Sequence, residues 1–406
     1  MLDIKFIREN AKKVEQNAKN KGYKVDIDKL LEVDKKRREL IEKVDKLRSK
    51  RKEIAQKRDE KQGQQLKKDL RLDEDKLEKL NEDFYDLIRQ VPNLAKDDVL
   101  VGRDESENKV IRQVGRKNQF NFKPKDHLEL GESLDLIDVE RSSKISGPRQ
   151  SFIKNELVGL EFALISFCFD VLESEGFIKV IPPLIINKKA VAGLGYPEYE
   201  RGEGYKIDDQ YLVGTSEHSI VPMHMDEVFH TDDLPRRYAA FSTAFRREAG
   251  SYGKDTRGIF RVHQFDKIEM VSFVNRKDSQ KELKYLLSLE EKLVQTLEIP
   301  YRVIQMCTAD LGFPTASKFD IECWFPSQNQ YRETHSASTT TDFQSRRLDI
   351  KYVEGSEKKF VHILNGTAFA IGRTLIAIME NYQAKDGSIQ VPKALQKYTG
   401  FAKIPS

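Results

Sequence analysis

Apolar residues recur at heptad spacing twice within the first quarter of the chain, and this pattern restricts that segment to two paired helices. Leu30 and Val44 belong to one series and Val33, Leu40, Leu47 and Ile54 to another, with Arg37 and Arg51 interrupting the first. A second run holds Leu66, Leu70, Leu77, Leu80, Phe84, Leu87 and Val91. Such spacing lets each helix bury a narrow stripe against a partner. Between the runs, Glu60-Lys61-Gln62-Gly63-Gln64 holds the one intervening glycine, which predicts a reversal there and an antiparallel coiled-coil hairpin over about 27–91. Pro92-Asn93 ends the second helix, because proline has no N–H to continue it.

The two helices differ in charge. Twelve basic side chains (Lys35, Lys36, Arg37, Arg38, Lys43, Lys46, Arg48, Lys50, Arg51, Lys52, Lys57 and Arg58) stand against four acidic ones in the same stretch, whereas the second helix is slightly acidic. A solvated coiled coil with interhelical salt bridges has this composition. So does a rod that lays cations along phosphates. The net charge of +4 is too small to choose between them.

A chain of 406 residues with 33% charged and 38% apolar side chains reads as two domains, one of them elongated. Residues 1–26 read as a short amphipathic helix (Ile4, Ile7, Val14) and a loop. The resulting division is an N-terminal domain over 1–95, a polar, irregular linker over 96–125 with Gly102, Gly115 and Pro124, and a second domain over 126–406. Cys168, Cys307 and Cys323 show no C-x-x-C spacing, so neither a disulfide framework nor a zinc site is expected. The start of the sequence lacks the apolar stretch of a signal peptide, and no segment approaches a membrane span, so a cytoplasmic setting is expected.

The second domain mixes helices with apolar strands. Phe152 to Glu175 reads as a long helix leading into the strand Phe177-Ile178-Lys179-Val180-Ile181, which ends in Pro182-Pro183. Further on, Phe245-Arg246-Arg247-Glu248-Ala249-Gly250-Ser251 and Gly258-Ile259-Phe260-Arg261-Val262-His263-Gln264-Phe265-Asp266-Lys267-Ile268-Glu269 read as antiparallel strands joined by a mobile basic loop. Leu364-Asn365-Gly366-Thr367-Ala368-Phe369-Ala370-Ile371-Gly372-Arg373 reads as a strand, a small-residue turn and a helix.

These three blocks resemble, in order, the three signature motifs of the class II aminoacyl-tRNA synthetases. Thr215-Ser216-Glu217, and Tyr331-Arg332-Glu333-Thr334-His335-Ser336-Ala337-Ser338 leading to Asp342-Phe343-Gln344-Ser345-Arg346-Arg347, narrow the resemblance to the seryl branch. It covers essentially the whole chain, the N-terminal hairpin included. The implied fold is α+β, a mainly antiparallel sheet flanked by helices and preceded by the coiled-coil hairpin. The implied activity is a serine–tRNA ligase, with L-serine, ATP, Mg²⁺ and serine tRNA as its ligands. Selenocysteine tRNA stays open as a second acceptor. A homodimer built on the 152–183 segment is also implied.

Residue by residue, the resemblance assigns catalysis to Arg246, Glu333 and Arg373. The serine site takes Thr215, Glu217, Arg246, Glu269, Asn365 and Thr367, with Glu217 on the ammonium and Glu269 and Thr215 on the hydroxyl. The ATP site takes Arg246, Arg247, Glu248, Val262, Phe265, Glu333, Thr334, His335, Ser336 and Arg373; Glu333 and Ser336 hold the metal. The chemistry suits these types. Guanidinium forks hold carboxylate and phosphate oxygens together, and Mg²⁺ prefers oxygen ligands. A hydroxyl held by buried polar groups is distinguished from its absence by about 10⁴–10⁵ in favourable cases. Taken singly, Arg246 reads as a surface ion pair and Phe265 as a core aromatic.

Departures from the family pattern fall inside the pocket. Thr334-His335 stands where an aliphatic residue and a serine are usual, Thr367-Ala368 where Ser-Gly is common, and Ser216 where alanine is frequent. Two other functions compete. A synthetase-like enzyme loading a carrier protein would lack the long hairpin, and a non-catalytic RNA-binding relative would be free to lose Arg246, Glu248, Glu269, Glu333 and Arg373, all of which are present.

Overall fold

The computed structural model describes residues 1–57, 60–197, 199–248 and 257–405. They form two compact units, Met1–Leu94 and Ala95–Ser406.

The first unit is helical: α1 (Ile4–Glu9), α2 (Ala11–Asn20), α3 (Ile27–Lys57) and α4 (Glu60–Arg89). Two helices rather than one precede the expected loop, at 21–26, because the chain leaves helical geometry at Asn10, whose side chain donates back to the Phe6 carbonyl at 3.0 Å. Helices α3 and α4 pair along the expected seam, burying Leu30, Val44, Leu66, Leu70 and Phe84. Arg37, the interruption in the first heptad series, is absorbed by the seam: its guanidinium lies 4.5 Å from the Phe84 ring and donates to Asn81 Oδ1 at 2.7 Å. The break expected at 60–64 is helix instead, since α4 begins at Glu60 and takes in Gly63. A helical glycine costs about 1 kcal/mol relative to alanine, which a long paired seam offsets.

The second unit is built on an eight-stranded sheet. In chain order its strands are β1 (Lys109–Val114), β2 (Ile178–Val180), β3 (Arg236–Phe245), β4 (Gln264–Val274), β5 (Tyr301–Gln305), β6 (Ser317–Phe325), β7 (Gln330–Thr341) and β8 (His362–Ala370). Across the sheet they run β1-β5-β6-β7-β8-β4-β3-β2, antiparallel except for the last pair. One face packs on three helices, α5 (Glu156–Ser174), α7 (Ser279–Thr296) and α9 (Ile371–Asn381); the short α6 (Glu217–Ile220) and α8 (Phe343–Leu348) lie elsewhere in the unit. Leu160, Leu164, Phe167, Leu286, Leu293, Leu375 and Met379 from those helices meet Ile268, Met270, Val303 and Ile321 from the strands in one core. The other face packs at one end on a second apolar cluster, where Val271, Phe273 and Ile363 meet Val191, Ile220 and Leu348, and elsewhere presents polar side chains.

Four local readings change. The 96–125 segment is not merely a linker, because β1 hydrogen-bonds along β5 as the sheet's edge. Helix α5 starts at Glu156, since Phe152–Ile153 pairs with Ile137–Asp138 as a short ladder. Strand β4 starts at Gln264 rather than near Gly258, and the mobile loop expected after Glu248 lies, through residue 256, outside the described residues. No turn separates β8 from α9: the strand ends at Ala370 and the helix begins at Ile371.

Candidate active site

Two β-bulges aim the side chains of the polar face. Residues two apart on a strand share a face, so Phe265, Lys267 and Glu269 of β4 point together. On β8, Phe369 pairs with Ile268 and Thr367 with Glu269, which leaves Ala368 as the extra residue. On β7, His335 pairs with Ile321 and Glu333 with Glu322, which leaves Thr334 as the extra residue. Each bulge shifts the parity of the residues beyond it. Glu333 and Ser336, an odd number of residues apart, therefore reach the same side, as do Thr367 and Ala370. All of these side chains border one cavity of about 480 Å³.

At one end of the cavity the buried groups are acidic. Glu217, the first residue of α6, accepts hydrogen bonds from the Tyr196 hydroxyl at 2.9 Å and from Gln344 Nε2, on α8, at 2.8 Å. Burial and the nearby Glu269 push its carboxyl up, against the hydrogen bond from Gln344. Glu269 is ion-paired with Lys267 Nζ and accepts from Thr367 Oγ1 at 3.3 Å. Burial pushes the Lys267 ammonium down, and Glu269 opposes the shift. The Thr215 hydroxyl is buried and has no hydrogen-bond partner within the described residues, a cost an incoming polar ligand would relieve. Ser338 donates to Asn365 Oδ1 at 2.8 Å and so orients that amide. His218 is neutral, pushed down to about 3 by burial and by Arg246 and Lys267; its Nδ1 accepts from the Gly214 N–H at 3.2 Å.

The other end gathers cations and rings. Arg246 is anchored by its Nε on the Gly214 carbonyl at 2.9 Å, and its guanidinium carbon lies 5.4 Å from the Phe265 ring centroid. Arg373 donates to Glu333 Oε2 at 3.0 Å and stands 4.9 Å from the Phe260 centroid. Glu333 is held at about 2, its burial outweighed by Arg373 and Lys318. Glu248 Oε2 lies 3.5 Å from Arg261 Nε, and Val262 borders the same region. Lys318 reaches Asp320 at 3.0 Å and borders a second, polar cavity of about 790 Å³ that also touches Glu333 and Arg373.

The cavity is bordered by every residue that the sequence assigned to it except one. Arg247 turns away, its guanidinium 4.9 Å from the Tyr205 ring and its Nε on the Gly204 carbonyl at 3.4 Å. Thr334 and His335 border the space, and Thr334 Oγ1 lies 2.7 Å from His335 Nδ1 and 3.3 Å from the Ile321 carbonyl. Burial pushes His335 down to about 3, so the ring is neutral there. Tyr196, Lys267, Lys318 and Gln344 were not anticipated. Lys267 carried a signal in its parity with Phe265 and Glu269, and Gln344 in its place within the Asp342-to-Arg347 block.

In the first unit the basic residues split into two groups. Arg37 and Arg38 approach the buried Asp34, Lys43 pairs with Asp73 at 2.7 Å, Arg48 with Glu74 at 2.8 Å, and Lys36 with Glu32 at 2.6 Å. Lys35, Lys46, Lys50, Arg51 and Lys52 are exposed along α3. The side chain of Lys57 and the whole of Arg58 lie outside the described residues.

Comparison with known proteins agrees with this geometry. The seryl-tRNA synthetase N-terminal domain model matches residues 1–95, and the model of the tRNA synthetase class II core domain (G, H, P, S and T) matches residues 203–382. A serine–tRNA ligase of Thermodesulfovibrio yellowstonii is 40% identical over 424 residues, with 100% of both chains covered. One of Halothermothrix orenii is 45% identical over 420 residues, again with 100% of each covered. The crystal structure of seryl-tRNA synthetase from Pyrococcus horikoshii, complexed with ATP, matches with a TM-score of 0.93 at 37% identity, over 100% of this chain and 99% of that one. With both family models, full-length relatives and a full-length structural match in agreement, the chain belongs to the seryl-tRNA synthetases.

Proposed function

We propose that this chain joins L-serine to ATP as seryl-adenylate and passes the seryl group to the 3′ end of serine tRNA. One observation carries the reading: Arg246, Glu248, Glu269, Glu333 and Arg373, drawn from distant parts of the sequence, border the same cavity. In the first step a serine carboxylate oxygen attacks the α-phosphorus, the bond to the bridging oxygen breaks, and pyrophosphate leaves. In the second, the terminal ribose hydroxyl attacks the adenylate carbonyl and AMP leaves. Positioning and charge neutralisation do most of the work in such transfers.

Arg246, which borders the cavity, holds the serine carboxylate against the α-phosphate. Glu217 takes the ammonium, which supplies the counter-charge that the buried carboxylate otherwise lacks. Glu269, Thr215 and Thr367 surround the hydroxyl, and Asn365 lies alongside. Phe265 stacks on adenine, Glu248 accepts from the adenine amine, and Arg373 neutralises the terminal phosphates.

Glu333 and Ser336 fit a hard divalent cation. They are oxygen donors on one face, and Glu333 is ionised through the neutral pH range. Two protein ligands leave room for phosphate oxygens and water, as Mg²⁺ prefers. When bound, the ion withdraws charge from the phosphates.

The exposed cations of α3 suit the phosphates of the tRNA, read as shape rather than sequence. A homodimer is supported by large apolar side chains left exposed on consecutive elements of the second unit, Phe152, Val158, Phe162, Ile178 and Ile181. No helix among the described residues is long and apolar enough to cross a membrane; a cytoplasmic setting is proposed from the likeness to serine–tRNA ligases. The test is serine-dependent exchange of labelled pyrophosphate into ATP. Exchange with serine and not with alanine, glycine or threonine supports the reading; no exchange with any of them leaves an RNA-binding relative in its place.

A further inference from the structure

The acidic end of the cavity contains a cation that the reaction as described does not use. Lys267 is buried on β4 between Phe265 and Glu269, and its ammonium is ion-paired with the Glu269 carboxylate. Glu217 also stands at this end, but its hydrogen-bond donors among the described residues are neutral, the Tyr196 hydroxyl and the Gln344 amide. Two carboxyl groups and one ammonium thus meet here, beside the Tyr196 hydroxyl and the neutral His218. Arg246 is a further charge that acts on Lys267, and in the proposed function it is matched by the substrate carboxylate. Among the described residues the pocket lacks one positive charge, and the lack lies at Glu217, not at Glu269.

We propose that Lys267 is a specificity-determining residue: by satisfying the charge of Glu269, it makes that subsite accept a hydroxyl and refuse an ammonium. The inference rests on the assignment of serine as substrate. A buried carboxylate without a counter-ion attracts any cation of the right size, because an unpaired buried charge costs several kcal/mol. With Lys267 absent, Glu269 would draw a second amine at the β-position as strongly as Glu217 draws the α-ammonium. L-2,3-diaminopropionate, which has an amine where serine has its hydroxyl, is the substrate this device excludes. With Lys267 present, its side ammonium meets a like charge, which costs several kcal/mol across a desolvated contact.

The experiment is pyrophosphate exchange at neutral pH with L-serine and with L-2,3-diaminopropionate, on the unaltered protein and on Lys267→Met. The unaltered protein should exchange with serine and ignore diaminopropionate, which should also fail to compete with serine. Lys267→Met should raise the KM for serine at least about tenfold, leave that for ATP within about twofold, and lower the preference for serine over diaminopropionate at least about tenfold. An unchanged preference, or competition by diaminopropionate in the unaltered protein, overturns the inference. If methionine at 267 unfolds the chain, the pair Lys267→Met with Glu269→Gln removes both charges together, which buried pairs tolerate better than the loss of one. That double variant should again refuse diaminopropionate, and its acceptance would overturn the assignment. Serine exchange by the unaltered protein tests the parent reading separately.

Discussion

Arg373 Nη1 lies 3.0 Å from Glu333 Oε2 and also donates to the backbone carbonyl of Glu333 at 3.0 Å, joining two residues forty positions apart. Glu333 thus starts from a fixed orientation beside the space assigned to the phosphates, and Arg373 is pinned by the group it neutralises. Preorganisation of this kind spares the reaction the cost of turning dipoles at the moment of transfer.

Arg373→Ala should therefore lower the exchange rate by at least about 10², as measured by kcat for labelled pyrophosphate. Because Glu333 sits at about 2, below its ordinary value of 4.5, its pairing is intact above the ordinary value and is lost as pH falls toward 2. No limb of the exchange profile near neutrality should belong to Glu333. A limb there that Glu333→Gln removes would contradict this ordering of charges.

A second carboxyl shifts the other way. Glu161, on α5, is pushed up to about 8 by burial, by the charge of Asp266 and by a hydrogen bond with it, while Thr243 donates to Asp266 at 2.6 Å. The folded state binds this proton more tightly than the unfolded chain, whose value is near 4.5. The resulting stability is present below the unfolded value and is lost as pH rises through about 8. The unfolding temperature should fall across that window, and Glu161→Gln should flatten the fall. Parallel curves for the two proteins would remove Glu161 as its cause.

The split among the basic residues of α3 predicts two different phenotypes. Joint replacement of Lys50, Arg51 and Lys52 by alanine should weaken tRNA binding and reduce the slope of log K against log salt by about 2 to 3, with the unfolding temperature unchanged. Arg37→Ala should instead lower the unfolding temperature, since it loses the Phe84 face and the Asn81 hydrogen bond. Filter binding across a salt series and thermal melts separate the two outcomes.

The second unit has its own core and holds every residue bordering the cavity. A chain starting at Ala95 should keep serine-dependent exchange within about tenfold of the full protein while losing tRNA charging. Charging at the full rate by that shortened chain would remove the role given to the helical arm.

Periodicity along the chain determined the paired helices, the strand character of β4 and the order of the signature blocks, because each depends on neighbours a few residues apart. The same periodicity held Lys267 in view, on the face shared by Phe265 and Glu269, although its role needed the pairing with Glu269. Tertiary structure decided the rest. The extra residues at Thr334 and Ala368 appear only when β7 and β8 are laid against β6 and β4, and without them Glu333 and Ser336 would face opposite sides. The edge strand in the 96–125 segment, and the approach of Gln344 to Glu217 from 127 residues away, likewise depend on partners remote in sequence. Local spacing fixes which way a side chain points relative to its neighbours, whereas strand register, set by burial across the whole sheet, fixes what it points at.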